Sequence, residues 1–502
     1  MKYIKINVLL VTLSLLLAYF LSLSTIGAWG DSITMGSSDV TFVEYIIKWW
    51  NNTNGRLSQA IIFASLFQPF RQFIDSPLGY PWWLITAFCF YCVILVPYLV
   101  LNTYSKFTNE STKSFKIFFL VFVYATWSIN SRTFESFSWF NTSVLCGYAL
   151  SLTLYCILLR WLFITTPIFI QKIQTRIFLL LISLFFSLLL EPYIAVIPLT
   201  IFLVTFFRFS NFIRLKTILI INLYGIVGSI LGLAILLSSP GQINRNKSLG
   251  IGLHKITESF IFSITYGYRY LLDYEVGSNF IVKNLVFLTH LLLFLFIYKM
   301  AFHNLPILKI CNHNIPEKNK PYIFLLIMLV VYHCFFCTLL ISDYFPTYLS
   351  MLPAFILASI YAVVIFKTFT SSNSWFALKW PRRLNLLRTI LASLLILLLA
   401  KHLNENTKTN LSISNNDTRR LAIYEIIERD YRNKGTTSFA IINCPVASTK
   451  FNYSMDPPWG YTAWFEWIGI KDLKIYLQQN YDFPSNWNDG TYKIIDCKKI
   501  FN

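Results

Sequence analysis

Long apolar segments separated by short polar ones make up most of the chain. A helix needs about 20 apolar residues to cross the hydrocarbon core of a bilayer. By this measure the pattern predicts about eleven helices. Their bounds are Ile4–Ile26, Trp83–Leu101, Ile117–Ile129, Ser143–Leu159, Ile177–Leu190, Ile194–Phe207, Ile218–Leu237, Phe280–Tyr298, Tyr322–Ile341, Tyr348–Phe366 and Thr389–Leu403.

The first apolar segment resembles a secretory signal because Lys2 and Lys5 precede it. It is longer than the apolar part of a usual signal, and no A-x-A cleavage site follows it. We therefore predict that this segment is retained as the first membrane helix.

The composition agrees with a membrane protein. Hydrophobic residues make up 56% of the chain and charged residues 13%, and the mean hydropathy is +0.56. Soluble domains carry roughly a quarter charged residues. We predict an α-helical polytopic membrane protein with membrane lipid as a partner. In such a protein the net charge of +19 does not indicate nucleic-acid binding.

Basic residues collect in alternate polar segments, a distribution typical of cytoplasmic loops in membrane proteins. This predicts a multi-pass protein of the cytoplasmic membrane, with a cytoplasmic amino terminus and an extracytoplasmic carboxyl-terminal domain. The basic set comprises Lys106, Lys113, Lys116, Arg160, Lys172, Arg176, Arg208, Arg214, Lys216, Lys299, Lys309, Lys318, Lys320, Lys367, Lys379, Arg382, Arg383 and Arg388.

A break inside the membrane region predicts a pocket on the outer face. The segments Ile177–Leu190 and Ile194–Phe207 are short for a bilayer and are separated by Glu191 and Pro192. Broken helices that carry an ionisable residue are tolerated where they are buried in protein or line a cavity.

Carboxylates, arginines and aromatic residues lie in the same outer segments. A carboxylate can act as a base towards a hydroxyl, and an arginine can grip a phosphate with two nitrogens. The set predicts transfer of a phosphate-activated group to an alcohol. Its members are Asp31, Asp39, Glu44, Trp49, Trp50, Asn54, Arg56, Glu135, Trp139, Glu191, Asn244 and Arg245.

Simpler interpretations of these residues remain open. The tryptophans would equally suit an interfacial belt, and an isolated arginine would suit contact with lipid headgroups. The acids of the first outer segment, Asp31, Asp39 and Glu44, would suit a solvated loop.

Four separated motifs carry a resemblance to a known superfamily. They are Trp50…Asn54-Gly55-Arg56, Glu135-x-x-x-Trp139…Tyr148, Glu191, and Pro240-Gly241-Gln242-x-x-Arg245. In this order they resemble polytopic bacterial proteins of the glycosyltransferase C superfamily, notably the serotype-converting O-antigen glucosyltransferases. The similarity covers the chain to about residue 250.

The resemblance implies an enzyme that moves a hexose, by analogy glucose, from a polyprenyl phosphate donor to a lipid-linked surface polysaccharide acceptor. An acid of the first outer loop would be the general base, which corresponds here to Asp31, with Asp39 and Glu44 as alternatives. This chain has Gly30-Asp31-Ser32 where many relatives have two adjacent acids, so the base stays open between the three. A donor synthase and a flippase are further candidate partners.

The remaining pocket residues receive roles from this chemistry. Arg56 and Arg245 would bind the donor phosphate and neutralise the charge on the leaving oxygen. Asn54, Glu135, Trp139, Glu191 and Asn244 are the predicted substrate-binding residues.

No cofactor is predicted. The sequence has no P-loop and no GxGxxG following a strand, so a nucleotide is not expected. Its six histidines are scattered without carboxylate spacing, and we predict no metal. A divalent cation held by Asp31 and Asp39 is the alternative, which the sequence does not otherwise support.

Residues 1–403 are predicted to form the transmembrane glycosyltransferase domain, and residues 404–502 a small extracytoplasmic α/β domain. Cys444 and Cys497 each follow a strand-like apolar run, and strand pairing would bring them close enough for a disulfide. Two unpaired buried thiols are the alternative.

Two other functions fit a chain with many spans. One is a polysaccharide flippase or transporter, which would place charges at mid-membrane in inverted repeats. The other is an O-antigen polymerase, for which arginine-rich outer loops are expected. The outer segments here are acidic and aromatic, which favours the transferase.

Overall fold

The structure of the chain is a computed structural model. It describes residues 41–52, 56–71, 82–110, 112–129, 142–241, 280–302, 315–341, 351–370, 421–443, 472–478 and 490–501, with residues 12, 243, 264, 465, 470, 484 and 485 besides.

The described part is mostly helical, as predicted, and it ends in a small sheet. Nine of the eleven predicted apolar segments coincide with helices, and the segments Ile4–Ile26 and Thr389–Leu403 lie outside the described ranges. The helices are α1 Phe42–Asn52, α2 Leu57–Arg71, α3 Trp82–Thr108, α4 Lys113–Ile129, α5 Thr142–Ile164, α6 Pro167–Gln171, α7 Ile173–Ser187, α8 Tyr193–Phe209, α9 Leu215–Ser238, α10 Phe280–Ala301, α11 Lys320–Ile341, α12 Met351–Thr370, α13 421–434 and α14 Cys497–Phe501.

The first outer segment contains two helices where the sequence predicted a loop. In α1, Tyr45 is buried and stacks on Trp49 with ring centroids 6.1 Å apart. The helix α2 buries Ala60 and Ala64 completely. Because α2 has 15 residues, it rises only about 22 Å, which is less than the hydrocarbon core of roughly 30 Å.

Aromatic contacts show which helix ends lie together. Phe163, at the end of α5, contacts Phe107 at the end of α3 and Phe324 near the start of α11, with centroids 4.8 and 5.2 Å apart. Phe115, near the start of α4, lies 5.0 Å from Phe366 near the end of α12. Consecutive long helices therefore run in alternating directions.

We call the end at which α3, α5, α8, α10 and α12 finish the basic end, because the members of the predicted basic set that the structure describes lie there. Polar contacts also join its helices. Arg208 Nη1 donates to the Leu162 carbonyl at 2.7 Å, and Asn319 Nδ2 donates to the Ala301 carbonyl at 3.0 Å. The opposite end, which carries the break between α7 and α8, is called the Glu191 end.

The helices α7 and α9 pack closely through glycines. A Cβ at Gly228 would lie 2.2 Å from the Leu180 carbonyl oxygen, and one at Gly232 would lie 2.5 Å from Ser187 Cβ. Close contact through small residues is a common way for helices to associate in membranes. Gly228 lies against Leu180, and Gly232 lies against Ser187, so residue numbers increase in the same direction along both helices. The helices α7 and α9 therefore run parallel.

Several helices turn an apolar face away from the protein. Large hydrophobic side chains such as Leu181 on α7, Ile230 on α9 and Leu285 on α10 are more than half exposed. A water-soluble protein rarely exposes large contiguous apolar surface.

Among the described residues, two helices are long and apolar enough to cross a membrane by length and composition, Leu215–Ser238 and the Lys283–Ala301 part of α10. This is fewer than the eleven predicted. The same search finds shorter apolar stretches in other helices: Ser114–Val123, Leu150–Ile164, Ile173–Ser187, Tyr193–Phe209, Lys320–Phe335 and Ile356–Lys367.

The carboxyl-terminal unit contains the predicted strands. β1 (Ser438–Ile442) lies between β2 (Lys474–Leu477) and β3 (Lys493–Asp496), and both pairings are parallel. One sheet face is buried through Phe439, Ile441 and Ile495, and α13 buries Ile423 and Ile427. This confirms a small α/β unit near the carboxyl terminus.

Candidate functional site

Two contacts at the Glu191 end join regions that are far apart in sequence. One is an ion pair between Arg56, which directly precedes α2, and Glu191, which lies between α7 and α8. The other joins Trp50 in α1 to Ser239, which directly follows α9. The contacts bring together residues of two of the four motifs and Ser239, which directly precedes a third.

The ion pair is bidentate and mostly buried. Arg56 Nε donates to Glu191 Oε1 at 2.9 Å, and Arg56 Nη2 lies 2.7 Å from Glu191 Oε2. The two side chains are 9% and 23% exposed. Two parallel charge-assisted hydrogen bonds fix both orientation and distance.

The break that presents Glu191 forms as the sequence predicted. The helix α7 ends at Ser187, and α8 begins at Tyr193, directly after Pro192. Proline lacks a backbone N–H and so cannot continue a preceding helix. The Glu191 carbonyl accepts a hydrogen bond from Ile194 N at 3.1 Å, which ties the turn to the start of α8.

The bend after α9 is held against α1. Ser239 is completely buried, and its hydroxyl donates to the Trp50 carbonyl at 2.7 Å. Pro240 and Gly241 are helical again, so the bend centres on Ser239 and Pro240 begins a new turn. Proline suits this position because its fixed φ is already helical.

The ion pair adds a structural contact to the roles expected of Arg56 and Glu191. The sequence assigned Arg56 to the donor phosphate and Glu191 to substrate, as separate groups. In the structure the two side chains pair with each other and join the start of α2 to the α7–α8 break, and their roles in binding donor and substrate stay predictions. Sequence spacing gives no sign of this contact because 135 positions separate the two residues.

Glu44 lies in a capping box at the start of α1. Its Oε2 accepts hydrogen bonds from the Thr41 N–H and from the Thr41 hydroxyl, both at 2.8 Å, and Glu44 N donates back to the Thr41 hydroxyl at 3.3 Å. Such a reciprocal pair satisfies backbone donors at a helix start. These hydrogen bonds, that of the backbone first, lower the pKa of the Glu44 carboxyl.

The other predicted site residues lie outside the described residues, so their roles stay predictions. They are Asp31, Asp39, Asn54, Glu135, Trp139, Asn244, Arg245 and Cys444.

The predicted disulfide has partial support. Cys497 is completely buried and disulfide-bonded, whereas the described cysteines Cys92, Cys156 and Cys334 remain thiols. The strands β1 and β3 pair with Ile442 opposite Asp496, directly before Cys497. The expected strand pairing is therefore confirmed, while Cys444 as the bonded partner stays a prediction.

The tertiary structure joins two histidines that the sequence left scattered. His290 Nε2 in α10 lies 2.9 Å from His333 Nε2 in α11, and His290 is 2% exposed. Both lie near the middle of their helices. Their helices are separated by a long segment, and neither residue has a local sequence signal that indicates the other.

A partly buried network lies at the basic end. Glu110 Oε2 accepts a hydrogen bond from the Tyr104 hydroxyl at 2.9 Å and lies 2.8 Å from Lys367 Nζ. It therefore ties the α3–α4 turn to the end of α12. The sequence interpretation did not single out Glu110.

Within the described ranges, no group of three or more His, Cys, Asp or Glu side chains is placed to hold a metal ion. Comparison of the chain with protein-family models, with curated proteins and with solved structures found no match.

Proposed function

We propose that this chain is a multi-pass protein of the cytoplasmic membrane. Three observations support the proposal: the alternating directions of the long helices, their outward apolar faces, and the collection of basic residues at one end. By the positive-inside rule the basic end would face the cytoplasm. The Glu191 end would then lie outside.

Within that frame, the proposed activity is transfer of a hexose from a polyprenyl phosphate to a lipid-linked surface polysaccharide. The observation that carries it is the convergence of Trp50, Arg56, Glu191 and Ser239 at one helix end. These residues belong to, or directly flank, motifs whose order along the chain resembles the glycosyltransferase C superfamily.

The chemistry requires a base and an anion-binding group. The acceptor hydroxyl attacks the anomeric carbon of the hexose while a carboxylate takes the hydroxyl proton. The bond from that carbon to the phosphate oxygen breaks, and polyprenyl phosphate leaves with the electron pair. Arg245 would stabilise the charge on the leaving phosphate.

Among the three candidate bases, Glu44 is the least suited. Its carboxylate is engaged in the α1 capping box, and its lowered pKa makes it a weaker proton acceptor. Asp31 and Asp39 are therefore the preferred candidates, with Asp31 the one that the resemblance implies.

The direct test is an assay with membranes that contain the full chain, radiolabelled polyprenyl-phosphate glucose and lipid-linked polysaccharide. We expect Asp31→Asn and Arg245→Ala to reduce transfer by about 10²-fold or more. Glu317→Gln, an exposed change at the basic end, is the matched control and should leave transfer near normal. Normal transfer by both site variants would refute the proposed site.

The buried His290–His333 pair favours one alternative, a transporter. Ionisable residues in the middle of membrane helices commonly mark ion or substrate pathways. His333→Gln keeps a hydrogen-bonding side chain but removes the titrating group. A transferase should keep hexose transfer in this variant, whereas a transporter should lose substrate flux and show no hexose transfer in the wild type.

A further inference from the structure

The basic end carries a surface in which exposed apolar side chains flank cations. It lies where α7 and α9 begin. Its apolar members lie in α6 and in the turn that precedes α9, and its cations lie in or beside the first turns of α7 and α9. We call it the basic-end surface, and it comprises Ile168, Phe169, Lys172, Phe212, Arg214 and Lys216.

The apolar part is exposed, and hydrogen bonds hold the backbone at Phe169 in place. Ile168 is 76% exposed and Phe212 is 66% exposed. Phe169 N donates to the Thr166 hydroxyl at 3.3 Å, and the Phe169 carbonyl accepts from the Thr175 hydroxyl at 2.8 Å. Exposed apolar side chains beside cations suit burial at the boundary between headgroups and acyl chains.

The charged part is unusual for the start of a helix. The residues that cap α7 and α9 are Lys172 and Arg214, and neither makes a side-chain capping hydrogen bond. Neither helix has an acidic residue in its first turn. The start of a helix is its positive end, so a cation there is unfavourable until an anion neutralises it.

The two helix starts lie side by side. The helices α7 and α9 run parallel through the Gly228 and Gly232 contacts, and α6 also contacts α9. Their positive ends and the nearby cations therefore face the same region. Within the described residues of these two first turns, no acidic side chain offsets this charge.

We propose that the basic-end surface binds the anionic headgroup of a phospholipid, with the phosphate at the starts of α7 and α9 and the acyl chains against Ile168 and Phe212. A phospholipid fits because one molecule supplies both the anion and the apolar chains. A free phosphate would leave the apolar side chains uncovered. The proposal rests on the membrane placement proposed above and is independent of the transferase chemistry.

The test uses purified full-length protein in neutral detergent, without sugar donor or acceptor. Phosphatidylglycerol and phosphatidylcholine with identical acyl chains are added separately, and bound lipid is counted by native mass spectrometry. We expect preferential retention of phosphatidylglycerol, weakening as salt is raised. Lys172→Gln/Arg214→Gln/Lys216→Gln should weaken its binding by roughly 10²-fold, since each cation near an anionic lipid contributes about a factor of five.

Lys106→Gln/Lys299→Gln is the matched control, because these lysines lie at the basic end but in the last turns of α3 and α10. It should keep most of the phosphatidylglycerol binding. Equal retention of the two lipids by the wild type, or equal loss in the control, would overturn the proposal. Displacement of the lipid by millimolar inorganic phosphate would instead assign the surface to a free anion. If the triple variant does not fold, the single variants Lys172→Gln, Arg214→Gln and Lys216→Gln replace it, and each should weaken phosphatidylglycerol binding by about fivefold.

Discussion

The Arg56–Glu191 ion pair joins two chain segments through two hydrogen bonds, and both partners are largely removed from solvent. A buried pair of this kind contributes little when intact, yet losing one partner leaves an uncompensated charge. The effect of this ion pair on stability is therefore seen mainly as the destabilisation that follows when one of the two side chains is removed.

We expect Glu191→Gln or Arg56→Gln to destabilise the protein by about 3 kcal/mol, because each removes the opposite charge that the remaining buried partner contacts through two hydrogen bonds. The double variant Arg56→Gln/Glu191→Gln should recover part of that loss. The free energy of unfolding of each variant is measured in detergent micelles. Glu317→Gln, which breaks the exposed pair with Lys320, should cost under about 1 kcal/mol, and an equal effect of the two changes would contradict a buried pair.

The Glu44 capping box should make the start of α1 sensitive to acid. The pKa of Glu44 is lowered from its ordinary value of 4.5 in the folded chain. Such a group stabilises the folded form above its unfolded pKa, and that contribution is lost as the pH falls through the folded pKa.

Amide exchange in the first turn of α1 should therefore accelerate in the wild type as the pH drops below about 4.5, relative to Glu44→Gln. The variant should already exchange faster at neutral pH and should lack this added change. Identical pH profiles for the two proteins would show that the carboxylate does not hold the cap.

At the level of helices, the α7–α9 contact is set by small residues. Gly225, Gly228 and Gly232 face α7 and α8, and each would place a Cβ against a different kind of neighbour. The clash with an added Cβ is hardest to relieve when the neighbour is a backbone carbonyl and slightly easier when it is a side-chain Cβ. It is easiest to relieve when the neighbour is the end of a long side chain.

Alanine substitutions should consequently rank in their cost. Gly228→Ala meets the Leu180 carbonyl, Gly232→Ala meets Ser187 Cβ, and Gly225→Ala meets only Ile201 Cδ1 at 2.9 Å. We expect destabilisation in that order, with Gly228→Ala at about 2–3 kcal/mol. Ile230→Ala on the exposed face of α9 is the control, and thermal unfolding would reveal any different order.

For the whole molecule, the alternating helices and the separation of the two ends bear on membrane topology. The sequence predicts eleven crossings, which is an odd number, and α1 and α2 are not among them. A cytoplasmic amino terminus then requires an extracytoplasmic carboxyl terminus.

A reporter that is active only outside the cytoplasm should be active when fused after Asn502. The same reporter fused after Lys172, at the basic end, should be inactive. Activity at Lys172, or inactivity after Asn502, would show that the charge pattern does not set the orientation and would place the Glu191 end on the wrong side for the proposed donor.

Local signals in the sequence were enough to locate most of the helices and the break at Glu191 and Pro192. Hydrophobic run length and proline chemistry act over a few residues, so they can be read without knowing the fold. The β1 and β3 runs were predictable for the same reason, whereas their parallel direction was shown only by the structure.

Contacts between distant segments depended on the folded chain. The Arg56–Glu191 pair, the Ser239–Trp50 hydrogen bond and the His290–His333 contact each join helices that no local pattern relates. Whether a charged side chain is a free ligand group or half of a buried pair depends on which partner the packing brings within about 3 Å. The sequence determined where the helices and the polar residues lie along the chain, and helix packing determined which of those residues meet.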